Sequence, residues 1–245
     1  MKQSLFTMEH ARQLTADTYE LVLSGDTSAI TAPGQFVNIQ LPGKFLRRPI
    51  SICNWTKDAL LLLVRVVGEG THDLVRCVPG TELDVLSGLG NGFDLAKGGT
   101  HPILLGGGIG IAPLYGLAQR MLEAGIAPTV GLGFRSGGDA FYLEEFGKLG
   151  CRLMVATEDG SLGTKGFVTD LVRHVPECGY AFVCGPTPML KAVHGLPQLT
   201  GGQFSFEARM GCGFGACMGC SCKTKYGNKR ICKDGPVLVK EEIIW

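Results

Sequence analysis

Residues 206–236 read FEARMGCGFGACMGCSCKTKYGNKRICKDGP and hold five of the ten cysteines of the chain. Cys212, Cys217 and Cys220 are spaced C-x4-C-x2-C, and Cys232 follows a short basic loop. Three thiols on one loop with a fourth downstream is the plant-type spacing of a two-iron, two-sulfur (2Fe-2S) cluster. A cluster needs backbone that turns tightly and aims several thiolates inward. Gly211, Gly213, Gly215 and Gly219 suit that need, because glycine accepts positive φ without steric cost. Backbone N–H groups are then free to donate to sulfur. A structural zinc site is the alternative, but zinc favours paired C-x2-4-C knuckles, and only Cys217 with Cys220 makes one. Cys222 is spare, since C-x4-C-x4-C does not match the spacing, so the expected metal ligands are Cys212, Cys217, Cys220 and Cys232.

Around this stretch the composition sets bounds. A chain of 245 residues allows one large domain or two to three smaller ones. Apolar residues make up 45% and charged residues 18%, enough to build real cores. A net charge of +1 argues against nucleic acid or an anionic membrane surface as partner. The first residues, MKQSLFTMEHAR, show no apolar leader. With ten cysteines, this predicts a reducing cytoplasm and thiols used for metal or redox work rather than disulfides. The uncharged run from Pro102 to Gln119 is broken by glycines and prolines, so it reads as strand, turn and helix rather than a membrane span.

Residues 1–97 read as an all-β barrel. Thr18–Leu23 and Gln35–Leu41 alternate polar and apolar, Pro33-Gly34 and Pro42-Gly43 punctuate them, and Leu60–Val67 and Thr81–Leu86 are further strands. Arg47-Arg48-Pro49-Ile50-Ser51 places a guanidinium three residues before a hydroxyl, a pattern suited to a phosphate and a ring edge; a solvated arginine pair is the plainer reading. Gly68-Glu69-Gly70-Thr71 follows a strand and predicts a glycine turn with Thr71 as helix N-cap, either an anion site or an ordinary capped turn. Together the two stretches favour a cofactor that carries a pyrophosphate.

Residues 98–198 change to alternating strand and helix. Ile103–Leu105, Val130–Phe134, Arg152–Thr157 and Tyr180–Cys184 are predicted strands. Helices are predicted at Leu114–Ala124, Leu143–Leu149, Val168–Val175 and Met189–Val193. This implies a Rossmann-like parallel sheet with helices on both faces and ligands at the carboxyl ends of the strands. The first strand runs into Gly106-Gly107-Gly108-Ile109-Gly110-Ile111-Ala112-Pro113, where glycines let backbone approach a phosphate at a helix start. The fourth ends in Cys184-Gly185-Pro186-Thr187-Pro188-Met189, and Cys184 is either a core cysteine or a thiol beside a nicotinamide. Arg135 and Ser136 end the second strand, where a ribose 2′-phosphate would lie.

These motifs resemble the ferredoxin–NADP reductase superfamily and, within it, the electron-transfer subunits of the NAD-dependent class of dihydroorotate dehydrogenase. The likeness covers nearly the whole chain. It rests on Arg48-Pro49-Ile50-Ser51, Gly68-Glu69-Gly70-Thr71, Leu89-Gly90-Asn91-Gly92-Phe93, Gly106 to Pro113, Cys184 to Met189, and the cysteine stretch through Cys232-Lys233-Asp234-Gly235-Pro236-Val237, in this order. The gap of eleven residues between Cys220 and Cys232 is closer to this family than to plant ferredoxins. The resemblance implies an FAD-binding β-barrel (1–97) using Arg48, Pro49, Ile50, Ser51, Gly68, Gly70 and Thr71. It implies an NAD-binding α/β domain (98–198) using Gly107, Gly108, Gly110, Cys184, Gly185 and Pro186. A small cluster domain (199–245) completes the chain.

The resemblance further implies a partner subunit carrying FMN and the pyrimidine site, in a hetero-oligomer such as a heterotetramer, and a place in pyrimidine biosynthesis. Electrons would run from dihydroorotate through FMN, the cluster and FAD to NAD. A nicotinamide moves two electrons as hydride and an iron–sulfur centre moves one, so a flavin belongs between them; no side chain is expected to act as acid or base. A flavin and iron–sulfur subunit of a ferredoxin-dependent NAD(P)H oxidoreductase or sulfide dehydrogenase shares this architecture and is the rival reading. A zinc-binding module on a degenerate flavoprotein is another. Trp245 either packs on the flavin or anchors the C-terminus.

Overall fold

The computed structural model describes residues 1–245. The N-terminal strands are β1 (Lys2–Gln13), β2 (Thr18–Gly25), β3 (Phe36–Ile39), β4 (Arg48–Trp55), β5 (Ala59–Arg65) and β6 (Glu82–Leu89), with helix α1 (Glu69–Val75) between the last two. They close a barrel in the order β1-β2-β5-β4-β3-β6, every pair antiparallel. Closure leaves no free strand edge. Strand alternation fills the interior with Leu21, Leu23, Val37, Ile39, Ile50 and Ile52, which turns Phe36, Asn38, Pro49 and Ser51 to the outer face.

The rest of the chain forms α2 (Ala112–Glu123), α3 (Leu143–Lys148), α4 (Val168–Leu171) and α5 (Thr187–His194). Its strands are β7 (Ile103–Gly107), β8 (Thr129–Phe134), β9 (Arg152–Thr157), β10 (Thr164–Lys165), β11 (Tyr180–Cys184), β12 (Gly201–Ser205), β13 (Ser221–Thr224), β14 (Gly227–Arg230) and β15 (Val237–Val239). Seven strands make one sheet, β10-β9-β8-β7-β11-β12-β15, parallel except for β15. Chain order reverses between β7 and β11, and such a switch point opens a crevice at the carboxyl ends of the strands. Pro113 lies in the first turn of α2, as its fixed φ favours.

Three expectations change in detail. Residues 199–245 do not stand wholly apart from the sheet, because β12 and β15 join it. The signal was weak because β12 reads Gly-Gly-Gln-Phe-Ser and carries a buried polar side chain. Gln203 is satisfied by Asp94, accepting from its N–H and donating to its carbonyl, each at 2.8 Å. The helix expected over Val168–Val175 is α4 followed by a 3-10 turn. The basic loop before Cys232 contains the hairpin β13–β14.

The two larger units are fastened face to face. Gly116 of α2 packs on the Cys53 carbonyl, which a Cβ would approach to 2.5 Å. Asn54 donates to Gln119 at 2.7 Å, and Arg120 stacks 4.7 Å from the Trp55 ring centre. Tyr142, held in a left-handed conformation at the start of α3, donates its hydroxyl to Glu20 at 2.5 Å. Burial pushes Glu20 up, but Arg12 and Tyr142 outweigh it and hold the carboxyl below its usual range. No helix is long and apolar enough to cross a membrane.

Candidate cofactor sites

On the barrel, the two arginines of the Arg47-Arg48 pair part ways. Arg47 is tied to Asp84 by two hydrogen bonds of 3.0 and 2.9 Å, so it is structural. Arg48 makes no ion pair; it donates to the Leu46 carbonyl and lies over Gly70, where a Cβ would overlap its guanidinium. The two motifs that pointed to a pyrophosphate are therefore brought together in space. Ser51 is exposed on the outer face of β4, as is Pro49, whereas Ile50 points into the barrel core and offers a cofactor only its backbone. Thr71 is not the N-cap of α1. Gly68 is, and Thr71 sits one turn in, its hydroxyl accepting from the N–H groups of Val67 and Gly68 at 2.9 and 3.3 Å. Gly68 itself is extended.

At the switch point lies a cavity of about 530 Å³. Gly107, Gly108, Gly133, Pro186 and Met189 line it from the strand ends, and Thr18 and Arg65 face it from the barrel. Gly108 has φ +52 and open space where a side chain would go, as a phosphate cradle requires. Gly110, Cys184 and Gly185 lie behind this wall rather than in it. A Cβ on Gly110 would meet the Cys184 carbonyl at 2.5 Å, and one on Gly185 would meet Met189 and Gly107. Burial pushes the Cys184 thiol up to about 12, helped by the charge of Glu207, so it stays neutral. Burial also raises Glu207, which lies just past β12 without a bonding partner. Ser136 donates to Asp139 at 2.9 Å and Arg135 pairs with it at 3.6 Å. Both groups that suggested a 2′-phosphate are thus engaged by a carboxylate, which suits the free ribose hydroxyl of NAD.

The cysteine loop gathers its thiols in two pairs. Cys212 is within hydrogen-bonding reach of Cys217, and Cys220 of Cys232. No three His, Cys, Asp or Glu side chains converge as one metal ion would need. Two pairs of thiols would suit the two irons of a 2Fe-2S cluster. Backbone donors serve the sulfurs: Ala216 and Cys217 to Cys212 at 3.2 and 3.4 Å, Gly219 to Cys217 at 3.5 Å, and Cys232 to Cys220 at 3.4 Å. Although burial opposes it, these donors bring Cys212 down to about 6, into the thiolate range. Burial and its neighbours Cys220 and Cys212 push Cys232 up to about 12, a repulsion that a bound metal cation would relieve. Cys222 on β13 packs partly buried against the core, and burial with the nearby Cys220 charge raises its thiol. Trp245 rests between His194 and Phe206, each ring centre 5.6 Å away.

Two asparagines join the cysteine segment to the barrel, and only Asn91 lies in one of the sequence motifs. Asn91 clasps Val237, donating to its carbonyl at 2.7 Å and accepting from its N–H at 3.1 Å, which accounts for the Leu89–Phe93 motif. Asn38 donates to the Cys212 carbonyl at 3.2 Å.

A reductase-type barrel, a nucleotide cavity at a sheet switch point and a four-cysteine loop define an NAD-linked flavin and iron–sulfur oxidoreductase. Comparison with known proteins agrees and narrows the class. Residues 207–244 match the iron–sulfur cluster binding domain of dihydroorotate dehydrogenase B, and residues 104–195 the oxidoreductase NAD-binding domain. The dihydroorotate dehydrogenase B (NAD(+)) electron transfer subunit of Shouchella clausii is 41% identical over 256 residues, covering 99% of this chain and 98% of the relative. That of Listeria monocytogenes is 40% identical over 254 residues, covering 99% of both. The chain belongs to the family of dihydroorotate dehydrogenase B (NAD(+)) electron transfer subunits. A solved NADH-dependent reduced ferredoxin-NADP oxidoreductase, studied for flavin-based electron bifurcation, superimposes with a TM-score of 0.90 at 29% identity, covering 99% of this chain and 90% of that one.

Proposed function

We propose that this chain carries electrons from a dihydroorotate-oxidising, FMN-containing catalytic subunit to NAD+, by way of a 2Fe-2S cluster and FAD, in pyrimidine biosynthesis. The observation that supports this best is that both other sites adjoin the barrel: the cysteine loop bonds β3 through Asn38 and Cys212, and Thr18 and Arg65 of the barrel face the nucleotide cavity. Bound FAD supplies two-electron exchange with nicotinamide and one-electron exchange with an iron–sulfur centre. The protein's own part is to bind, orient and shield. Arg48, over Gly70, neutralises phosphate, and Ser51 with the backbone of Pro49 and Ile50 faces the flavin ring. Gly68 and Thr71 shape the turn beside them. Gly107, Gly108 and Pro186 seat the dinucleotide, while Gly110, Cys184 and Gly185 hold the wall behind it. Cys212 and Cys217, with Cys220 and Cys232, would hold the cluster. No side chain is needed as acid or base in this scheme.

Three functional units are proposed, 1–97 for FAD, 98–198 for NAD and 199–245 for the cluster, with β12 and β15 of the last lending two strands to the second. The partner is assigned as an FMN subunit in a heterotetramer, and the compartment as the cytoplasm, in keeping with ten free cysteines. The test is to co-express the chain with its partner and measure FMN, FAD, iron and dihydroorotate-to-NAD turnover. A complex with FAD, iron and turnover carries the reading. Ferredoxin-linked turnover without dihydroorotate activity would favour the rival oxidoreductase, and a colourless zinc protein would end both readings.

A further inference from the structure

The Cys212 end of the cysteine loop meets strand β3 through a buried amide. Asn38 of β3 is 1% exposed, and its Nδ2 donates to the Cys212 carbonyl at 3.2 Å. Gly213, at φ +79, lies so close that a Cβ there would overlap this amide. In the barrel ladder Asn38 stands opposite Pro49 of β4, with Phe36 opposite Ser51 on the same outer face. Arg47 donates to its main-chain carbonyl at 3.3 Å, which fixes the strand locally. The side-chain Oδ1 has no hydrogen-bond partner. A buried amide oxygen without a donor is disfavoured, and a leucine of similar size would avoid that cost. An asparagine here therefore points to a donor supplied from outside the chain. A 2Fe-2S cluster has no N–H to give, whereas a flavin ring does.

We infer that Asn38 is a positioning residue between the two redox sites: Nδ2 fixes the cysteine loop at Cys212, and Oδ1 accepts from a ring N–H of the flavin. This rests on the FAD and cluster reading given above. Asn38 exchanges neither electrons nor protons. It acts through Cys212, whose backbone it holds and whose thiolate orientation follows, as outer partners of metal ligands commonly do. It also ties the loop to the strand pair proposed to face the flavin, and the Asn91 clasp on Val237 holds the far end of the same segment.

The test compares the purified wild-type chain with Asn38→Leu, which loses both hydrogen bonds at similar volume, and Asn38→Ser, which keeps a hydroxyl but cannot span the gap. Three readouts are taken: iron release to a chelator, the paramagnetic spectrum of the reduced cluster, and the flavin midpoint potential. Both variants are expected to release iron about 10- to 100-fold faster, with an altered spectrum and a shifted flavin potential. A wild-type chain without flavin or iron overturns the cofactor reading and this inference with it. A loaded wild type whose variants match it in all three readouts overturns the role of Asn38 alone. Faster iron release with an unmoved flavin potential overturns the assignment of Oδ1. If Asn38→Leu does not fold, Asn38→Ser decides.

Discussion

The guanidinium of Arg48 lies against the backbone of Gly70, so closely that position 70 has no room for a β-carbon. Strand β4 and helix α1 thereby form one surface with a free cation on it, while neighbouring Arg47 is spent on Asp84. Arg48→Ala removes the cation, and Gly70→Ala displaces it. Loss of a charge-assisted bond is worth about 1.5–3 kcal/mol, or roughly 10- to 100-fold in affinity. Both variants should bind FAD correspondingly more weakly in a titration of the apoprotein. Full FAD retention by Arg48→Ala after gel filtration would remove Arg48 from the site.

Gly108 gives the matching prediction for the nicotinamide nucleotide. Its φ of +52 disfavours a β-branched side chain, and the space beside it belongs to the cavity. Gly108→Val should raise the KM for NADH in dye reduction by about tenfold or more while FAD stays bound. An unchanged KM would place the pyrophosphate elsewhere.

How much of this was legible in the residues follows from how each feature is encoded. The cluster ligands are close in sequence, so spacing alone set Cys220 apart from Cys222, which lies partly buried on β13. Strands β2, β5 and β7 show alternation or apolar runs because their neighbours bury them. Strand β1 was missed because only Phe6 and Met8 along its twelve residues are fully buried, which leaves too little period to read. Thr71 was misplaced by one turn because glycine can cap a helix without a side chain to announce it. Asn38 carries no local signal at all, and Asn91, though inside a motif, does not reveal its role: each matters through a partner at least 146 residues along the chain, and such pairings exist only once the fold has formed.

The cysteines themselves are the third test. Cys212→Ser, Cys217→Ser, Cys220→Ser and Cys232→Ser should each lose or alter iron content and the reduced-state paramagnetic signal. Cys222→Ser should keep both, since Cys222 lies on β13 outside the C-x4-C-x2-C spacing and outside the two thiol pairs. Retention of the signal in Cys220→Ser with its loss in Cys222→Ser would reverse the assignment.

The Tyr142–Glu20 bond joins barrel to sheet, and its strength depends on pH. The folded carboxyl sits below its unfolded value, so its contribution is present above about pH 4.3 and is lost as pH falls through the lower folded value. Tyr142→Phe should cost about 1–2 kcal/mol near neutrality. Urea unfolding should show that cost shrinking between about pH 5 and about pH 3. A cost that stays constant over this range would mean the hydroxyl contributes by packing rather than through the ionised carboxylate.

The last prediction concerns docking. A one-electron centre needs a surface where a partner can approach it, and the cysteine loop supplies apolar side chains without charge from Met210 to Met218. They do not act alike. Met210 packs inward against the core, while Phe214 and Met218 stay 43% and 55% exposed beside exposed Cys217. Side chains that only shielded the cluster would fold inward, as Met210 does. Those left outside, on an adaptable surface over a redox centre, suit a protein partner. Phe214→Asp should therefore leave flavin and iron content intact, and NADH-to-dye reduction with them. Co-elution with the catalytic subunit and dihydroorotate-to-NAD turnover should fall together, by about 10-fold or more if Phe214 is an interface anchor. If the variant still co-elutes and turns over at the wild-type rate, the partner docks elsewhere on the chain, and exposed Phe45 on the loop between β3 and β4 becomes the next residue to change.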